Sequence, residues 1–274
     1  MLNDMISALD AAMDPFRRGH GQTALARVEE TLLINTGRKA LPPLPDLQRP
    51  ALFYFPGLGT QGWYSASAYE ELASLTKLLR EATPMLREEF LTRAHHGETL
   101  AYDAQMPGRF PNIRSQDWGS IYLLKDGLKN ETNCATCPRS AALMESLYPR
   151  FSPGGAFFFS VVGPGAKIPP HHDTMNLKLT CHLPLIVPPD CRIRVDGETR
   201  EWVEGESLFF DDTFLHEVWN HSDKPRVCLL LDIWHPGLTA LEREVISALG
   251  RVMAQFVAQG YTPPWSTQGR TIEH

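Results

Sequence analysis

The sequence has no long hydrophobic run. No apolar stretch approaches the roughly 20 residues that a membrane-spanning helix needs, so no membrane span is predicted. Residues 1–21 carry acidic side chains and no continuous apolar stretch, which is not the pattern of a secretory signal. From these two absences we expect neither an integral membrane protein nor a secreted one.

Positive charge and cysteine are both in short supply. Lys and Arg number 26 against 32 Asp and Glu, which gives a formal net charge of −6. This balance argues against nucleic acid or an anionic membrane as the partner. The five cysteines are an odd number and suit a reducing compartment better than a disulfide scaffold. We therefore expect a cytoplasmic protein, and the sequence carries no signal for its oligomeric state.

The first part of the chain has the hydrophobic pattern of helices. Apolar residues recur at helical spacing through residues 1–36 and again through 67–93, where Pro84 should break or kink the helix. Five prolines between Pro42 and Pro56 predict an extended linker between these two helical parts.

From Gly155 onward the hydrophobic period changes to two, which is typical of β-strands. Short alternating stretches are separated by turn-forming residues, and a final amphipathic helix stops at Gly260. That spacing favours an all-β sandwich or barrel of jelly-roll type. For the whole chain we expect a fold that is mainly β with flanking helices and a double-stranded β-helix core, a cupin-like jelly roll. We therefore divide the chain into an N-terminal helical segment with its linker, residues 1–45, and one main domain, residues 46–274.

Alternation also indicates which side chains share a face of each strand. In "NLKLTCHLPLIV", Lys178, Thr180 and His182 lie together, opposite a row of apolar residues. Ser160 lies on one face of "AFFFSVVG", and Arg226 begins one face of "RVCLLLDIW". A face that carries Lys, Thr and His either meets water or lines a polar cavity.

The stretch "PPHHDT" brings two histidines and an aspartate together. His171 and Asp173 are two residues apart, so they project the same way from extended backbone while His172 points away. With His216, in "FFDDTFLHEVWN", they form the two-imidazole, one-carboxylate ligand set of non-haem Fe(II) oxygenases, which leaves positions open for cosubstrate and O2. The alternative is a surface His-x-Asp loop and a strand-end histidine that bind no metal. Three acidic residues are expected to orient the imidazole rings through hydrogen bonds: Asp211, Asp212 and Glu217. The alternative for Asp212 and Glu217 is that they cap turns.

Longer motifs add to the metal interpretation. They are "GLKNETNCATCP", "FFFSVVGPGAKIPPHHDTMNLKLTCHLPLIVP", "CRIRVDGETREWVEGESLFFDDTFLHEVWN" and "RVCLLLDIWHP". In their order and spacing, residues 115–236 resemble the catalytic domain of the aspartyl/asparaginyl β-hydroxylase family, which are Fe(II)- and 2-oxoglutarate-dependent oxygenases. Residues 53–64, "FYFPGLGTQGWY", are similar to the opening segment of that domain. Residues 1–45 lie outside the resemblance.

The resemblance implies a role for each matching residue. His171 and His216 match the two metal-binding histidines of the family. Arg226 matches the arginine that anchors 2-oxoglutarate, Ser160 matches its partner serine, and His182 matches the strand histidine that approaches this cosubstrate. The implied cofactors are Fe(II), 2-oxoglutarate as cosubstrate, and O2.

Two positions depart from the family. Its animal members have glycine where this chain has Asp173, so Asp173 restores the three-ligand set, His171, Asp173 and His216, of the wider superfamily. The alternative for Asp173 is a carboxylate beside a two-histidine site. The substrate-facing arginine of the family is Thr180 here, while a basic residue persists two positions earlier as Lys178. We expect Lys178 and Thr180 to contact the substrate, and the loss of one cation argues against an acidic peptide.

The sequence thus predicts a 2-oxoglutarate-dependent dioxygenase. We expect it to hydroxylate an aspartyl- or asparaginyl-like β-carbon in a peptide or a small-molecule substrate such as an amino acid. One alternative keeps this chemistry and moves it to a lipid or a natural-product intermediate. Another is a cupin-type metal-binding domain without oxygenase activity, in which a cosubstrate clamp such as Arg226 would have no use.

Overall fold

A computed structural model describes residues 2–94, 100–101, 117–152 and 154–261 of the chain. The first half holds α1 (Leu2–Gly19), α2 (Gln22–Asn35), β1 (Trp63–Tyr64), α3 (Glu70–Ala94), β2 (Leu100–Ala101), β3 (Trp118–Lys125), β4 (Leu128–Lys129), α4 (Glu131–Thr136) and α5 (Pro138–Ser146). The second half holds β5 (Phe157–Val162), β6 (Lys167–His171), β7 (Lys178–Ile186), β8 (Cys191–Val195), β9 (Glu198–Glu201), β10 (Leu208–Phe210), β11 (His216–Asn220), β12 (Arg226–Trp234) and α6 (Ala240–Ala258). Short 3-10 helices lie at Ala66–Ala68 and Tyr148–Arg150.

Strands β5 to β12 form a jelly roll. In the larger, eight-stranded sheet they run in the order β10-β7-β12-β5, and β1, β3, β2 and β4 extend this sheet. The smaller sheet has four strands in the order β6-β11-β8-β9. The chain therefore crosses repeatedly from one sheet to the other, and the pairs within each sheet are antiparallel. The predicted double-stranded β-helix core with flanking helices is confirmed.

Strand alternation divides the apolar residues between the two faces of the larger sheet. Its outer face packs on α3 and α5, and on β7 the residues of this outer face are Leu179, Cys181 and Leu183. Lys178, Thr180 and His182 therefore point into the space between the two sheets, where they are buried. Ser160 and Arg226 lie on the same inner side, because their alternating neighbours pack between the sheets: Phe158, Val162, Cys228 and Leu230. The predicted sharing of one interior by these polar residues is confirmed.

The helical predictions need two corrections. The segment predicted as helix through residue 36 is two helices, α1 and α2, because Gly19 and Gly21 flank the junction and glycine is a poor helix former. Of the break or kink predicted at Pro84 the break was wrong, because Pro84 lies inside α3, which continues to Ala94. The predicted final helix is confirmed as α6. In the β3–β4 turn Asp126 and Gly127 are both at positive φ.

The N-terminal helices pack against the C-terminal helix. Met5, Leu9 and Val28 are buried in one apolar cluster with Val245 and Ile246 of α6. A capping box begins α6, in which Thr239 and Glu242 each bond the other's backbone N–H. The boundary after residue 45 stays a prediction.

Parts of the predicted organisation lie outside the described residues. These are residue 1 of the N-terminal segment and residues 95–99, 102–116, 153 and 262–274 of the main domain, of which 115, 116 and 153 also belong to the segment 115–236. Within the described residues, no helix combines the length and the apolar character required to cross a bilayer.

A buried histidine joins β1 to the end of β12. The Nδ1 atom of His235 accepts a hydrogen bond from Gly237 N at 3.0 Å, so the proton of the neutral ring is on Nε2, which donates to the hydroxyl of Tyr64 at 2.9 Å. His235 is 1% exposed. Burial, with the nearby charges of Arg27 and Arg243, lowers the pKa of His235 from 6.5 to about 4.

Acidification should therefore destabilise the fold through His235. The unfolded chain takes up the imidazole proton near pH 6.5 and the folded chain only near pH 4. The stability is thus fully present above pH 6.5 and falls as the pH falls toward 4, by a total of about 3 kcal/mol. Urea unfolding at a series of pH values should show a weaker dependence in His235→Gln, which cannot titrate. An identical pH dependence in the two proteins would contradict this role.

Candidate metal centre

The two candidate histidine ligands face each other across a strand pair. Strand β11 is antiparallel to β6, and His216 is the register partner of His171. Directly opposed residues on one face of an antiparallel pair have neighbouring side chains, and here the ring centroids are 4.0 Å apart. Neither strand was predicted as such, since β6 contains Pro169 and Pro170. Prolines are tolerated there because β6 is the edge strand of the smaller sheet.

Asp173 completes a cluster of three possible ligands. Its backbone N–H donates to the carbonyl of Asp212 at 2.8 Å, which fixes the loop after β6. The Oδ2 atom of Asp173 is 3.9 Å from Nε2 of His216. One ligand atom from each of His171, Asp173 and His216 lies within 4.8 Å of the others, and these three form the potential metal-binding group found among the described residues.

Backbone carbonyls orient the two imidazole rings. The Nδ1 atom of His171 is 2.7 Å from the carbonyl oxygen of Pro169, and Nδ1 of His216 is 2.9 Å from that of Phe214. A carbonyl can only accept, so Nδ1 carries the proton in each ring and Nε2 carries the lone pair that a metal requires. His172 turns away and its Nδ1 lies 3.0 Å from the carbonyl of Thr213, as its position in the motif predicts.

The acidic residues near the histidines form other contacts than the predicted hydrogen bonds to the imidazole rings. Asp211 accepts hydrogen bonds from the backbone and hydroxyl of Thr213. Asp212 is engaged with β7 side chains, and Glu217 forms an ion pair with Arg194 on the outer surface. The carbonyls of Pro169 and Phe214 orient the rings instead, because each lies two residues before its histidine and close to the Nδ1 atom of that ring.

Arg226 is a fully buried cation. It is 1% exposed, and its guanidinium carbon lies 4.6 Å from the ring centroid of Trp202. Its Nε and Nη1 atoms have no hydrogen-bond partner among the described residues. An unpaired buried guanidinium is costly, so its surroundings suit an anion that supplies the missing acceptors.

Ser160 and His182 line the same interior near Arg226. Ser160 pairs with Cys228, two residues from Arg226 on the inner face of β12, and its Oγ accepts from the indole N–H of Trp118 at 3.1 Å. Burial lowers the pKa of His182 well below its usual value, and the charge of Arg226 lowers it further, so this ring is neutral. Trp118 and Trp202 carry no functional signal in the sequence, since buried tryptophans on an inner face are ordinary core residues.

Lys178 and Thr180 belong to a separate polar cluster on the same inner face. The ammonium group of Lys178 contacts Asp212 Oδ2 and, at 2.9 Å, Asp232 Oδ1. Thr180 Oγ1 lies 2.6 Å from Asp212 Oδ2. Burial alone would lower the pKa of Lys178, but the two carboxylates raise it above its ordinary value. The structure thus places Lys178 in an internal ion-pair network.

A segment of the predicted linker crosses the two loops next to the candidate ligands, the loop after β6 and the loop before β11. We call residues 47–55 the strap. On one side Arg49 N donates to Thr213 O at 2.8 Å, and Leu215 N donates to Leu47 O at 2.7 Å. On the other side the N–H groups of Leu52 and Phe53 donate to Thr174 O. The strap therefore joins the loop before β11 to the loop after β6.

Side-chain amides fasten the strap at both of its ends. Asn176 bonds both backbone groups of Phe55, at 2.8 and 2.9 Å. Gln48 donates to Asp211 Oδ2 at 3.1 Å and to Thr213 Oγ1 at 3.2 Å. Each of these contacts is buried, so the strap is part of the site's framework rather than an exposed linker.

Comparison with known proteins confirms the resemblance that the motifs indicate. A family model described as aspartyl/asparaginyl β-hydroxylase matches residues 75–236. A human aspartate β-hydroxylase domain-containing protein 2 is 34% identical over 210 residues, covering 74% of this chain and 55% of the relative. A mouse aspartyl/asparaginyl β-hydroxylase is 33% identical over 208 residues, covering 73% of this chain and 26% of the relative. The chain spans about half the length of the first and about a quarter of the second.

Solved structures show weaker likenesses. A Pseudomonas putida prolyl-4-hydroxylase is 18% identical with a TM-score of 0.37, covering 64% of this chain and 90% of that one. A predicted oxalate decarboxylase from Thermotoga maritima is 14% identical with a TM-score of 0.30, covering 43% of this chain and 80% of that one. At these scores neither likeness carries a conclusion about this chain.

Replacing Gln48 by leucine should loosen the strap. The change nearly preserves volume but removes the donors to Asp211 and Thr213, leaving buried acceptors with fewer partners, at a cost of about 1–3 kcal/mol. Urea unfolding of Gln48→Leu measures this loss. The same substitution at the exposed Gln22 should change stability by less than about 0.5 kcal/mol. Equal effects at the two positions would contradict the role of Gln48.

Proposed function

Because this chain belongs to the aspartyl/asparaginyl β-hydroxylase family, we propose that it is an Fe(II)- and 2-oxoglutarate-dependent dioxygenase. It would hydroxylate the β-carbon of an aspartyl- or asparaginyl-like group in a peptide or amino acid. The single observation that carries the proposal is the joint presence, between two sheets, of a His-Asp-His cluster and a buried arginine with unsatisfied donors. A metal-binding domain without a cosubstrate would gain nothing from that arginine.

The donor set fits Fe(II). Two imidazoles and one carboxylate occupy part of the coordination sphere and leave positions open for the cosubstrate and O2. His171, Asp173 and His216 would hold the ion, with Nε2 of each ring as the ligand atom. When bound, iron with 2-oxoglutarate and O2 supplies an oxidising power that no side chain has, and it converts C–H to C–OH while yielding succinate and CO2.

The protein's own side chains would bind and orient the cosubstrate. Arg226 suits the distal carboxylate of 2-oxoglutarate, because a guanidinium can donate two parallel hydrogen bonds to it. Ser160 already accepts from Trp118, so its hydroxyl hydrogen is available to donate to the same carboxylate. His182 is neutral and adds no charge to the pocket.

Apolar rings would keep water out of this part of the interior. Phe210 lies 4.9 Å from the ring of His182 and 5.8 Å from that of His216, between centroids. A water-poor site strengthens each charge-assisted hydrogen bond and limits side reactions of a strong oxidant. We place this activity in the cytoplasm, since all five cysteines are unpaired thiols.

Removing the guanidinium should separate cosubstrate binding from metal binding. Arg226→Met should weaken 2-oxoglutarate binding by roughly 10- to 100-fold, since charge-assisted hydrogen bonds are lost. It should leave the Mn(II) affinity unchanged and the stability of the ligand-free protein equal or higher, because an unpaired buried charge disappears. Calorimetric titration of 2-oxoglutarate into Mn(II)-loaded protein measures the first effect.

The control for Arg226→Met is Arg192→Met. Arg192 is exposed and paired with Glu201 on the outer face of the smaller sheet. Unchanged 2-oxoglutarate affinity in Arg226→Met, or equal losses in the two variants, would remove the clamp from the proposal.

The neighbouring histidines offer a matched pair for the metal. His171→Ala should abolish measurable Mn(II) binding, whereas His172→Ala should retain it because that ring points to Thr213. Asp173→Gly should give an intermediate affinity if its carboxylate is a ligand. Equal Mn(II) affinity in Asp173→Gly and the unchanged protein would reduce the ligand set to the two histidines.

A further inference from the structure

We propose that the substrate subsite beside the candidate metal centre accepts a group with N–H donors, an amide or an ammonium, and discriminates against a carboxylate. The inference rests on the proposed function and deepens it by naming the substrate chemistry. It is drawn from the side chains of Lys178, Thr180, Asp212 and Asp232, which we call the acidic cluster.

The acidic cluster lies on the far side of the interior from the cosubstrate clamp. On the inner face of β12, Arg226 and Asp232 are six residues apart, a rise of about 20 Å along a strand. Thr180 is the register partner of Asp232, and His182 lies one inner-face position closer to Arg226. The cluster also adjoins the metal ligands, because Asp212 O accepts from Asp173 N. With 2-oxoglutarate on the Arg226 side, the substrate must approach from the side of the acidic cluster.

The one cation of the acidic cluster is already fully used. The three hydrogens of the Lys178 ammonium group are directed at Asp212 Oδ2, Asp232 Oδ1 at 2.9 Å and Thr180 Oγ1 at 3.3 Å. Its side chain is only 9% exposed. Lys178 therefore has no hydrogen left with which to hold a substrate carboxylate. This replaces the expectation that Lys178 would contact the substrate directly.

The acceptors of the acidic cluster outnumber its donors. Two carboxylates face one ammonium group, so the cluster carries a net charge of −1. Thr180 contributes a single hydroxyl hydrogen, which the 2.6 Å contact assigns to Asp212 Oδ2. The buried Oδ1 atom of Asp212 has no hydrogen-bond partner within the described part of the chain. Asp232 is the most exposed member, at 17% of its side chain, and its Oδ2 atom accepts from Ala156 N at 3.2 Å.

This excess of acceptors favours the binding of a neutral or positively charged group that has N–H donors. A substrate carboxylate would meet a net negative charge in a poorly solvated site, with no donor to receive it. An amide or ammonium group would instead bring the hydrogen that Asp212 Oδ1 lacks, the one carboxylate oxygen of the cluster without a donor among the described residues. Asparagine and aspartate side chains have nearly the same shape, but asparagine is neutral and has N–H donors while aspartate is negatively charged and has none. The subsite should therefore prefer the amide.

Two peptides that differ only in Asn or Asp at the target position test the preference. With Fe(II)-loaded protein we expect the asparaginyl peptide to exceed the aspartyl peptide at least tenfold in kcat/KM, read as hydroxylated product. We expect the same order in Kd, measured on Mn(II)- and 2-oxoglutarate-loaded protein. A 2,4-diaminobutyryl peptide presents an ammonium at the same place and distinguishes an ammonium from an amide as the better donor.

Thr180 is the position at which the charge of the acidic cluster can be changed. Thr180→Arg adds a cation and should bring the Asn-to-Asp ratio to one or below. Thr180→Gln adds similar bulk without charge, so it should lower the use of both peptides together and keep their ratio. A ratio that shifts equally in the two variants would assign the effect to bulk and overturn the proposal.

The failure of this inference is distinguishable from failure of the proposed function. Binding of 2-oxoglutarate to the Mn(II)-loaded protein is measured first, and its absence would remove both. If 2-oxoglutarate binds, then equal or better use of the aspartyl peptide overturns the subsite assignment alone. Undetectable binding of both N–H donor peptides has the same consequence and would favour a lipid or another substrate class.

Discussion

The candidate site depends on one register. His171 and His216 share a face only because β6 and β11 pair with these two residues opposite each other. A slip of one residue would turn one imidazole to the outer surface, since side chains alternate along a strand. The pairing of β11 with β8 on its other edge, which runs from His216 to Asn220, fixes the position of β11 in the sheet, against which β6 then aligns. The metal geometry is therefore a property of the smaller sheet as a whole.

The interior between the sheets has an electrical polarity. A buried, incompletely satisfied cation, Arg226, lies toward one end, and a cluster with surplus negative charge around Asp212 and Asp232 lies toward the other. The candidate ligands lie on the opposite sheet. In a medium of low dielectric, such separated charges select ligands by sign and direction before any close fit is made. An anionic cosubstrate and a donor-bearing substrate would then be kept in order by the field.

Periodicity was enough to predict the jelly roll and the shared face of Ser160, His182 and Arg226, because each follows from alternation within a strand. Of the break or kink predicted at Pro84, the break failed because tertiary packing kept α3 continuous through the proline. The carbonyls that hold the histidine rings could not be predicted, since a backbone group has no identity in a sequence. Nor could the pairing of Lys178 with Asp212, as it depends on how β7 meets a loop that follows another strand.

The strap is synthesised long before the loops that it joins. Gln48 precedes Asp211 by 163 residues, and Phe55 precedes Asn176 by 121. At a translation rate of roughly 5–20 residues per second, the partners of Gln48 appear about 10–30 s after it does. Until then the strap lacks its partners in these loops, although Tyr54 can already bond the side chain of Asn35. Contacts of such long sequence separation form late in folding. The two loops next to the candidate ligands would then be joined by the strap late in folding. Because a metal binds the completed site, metal binding would favour this last step.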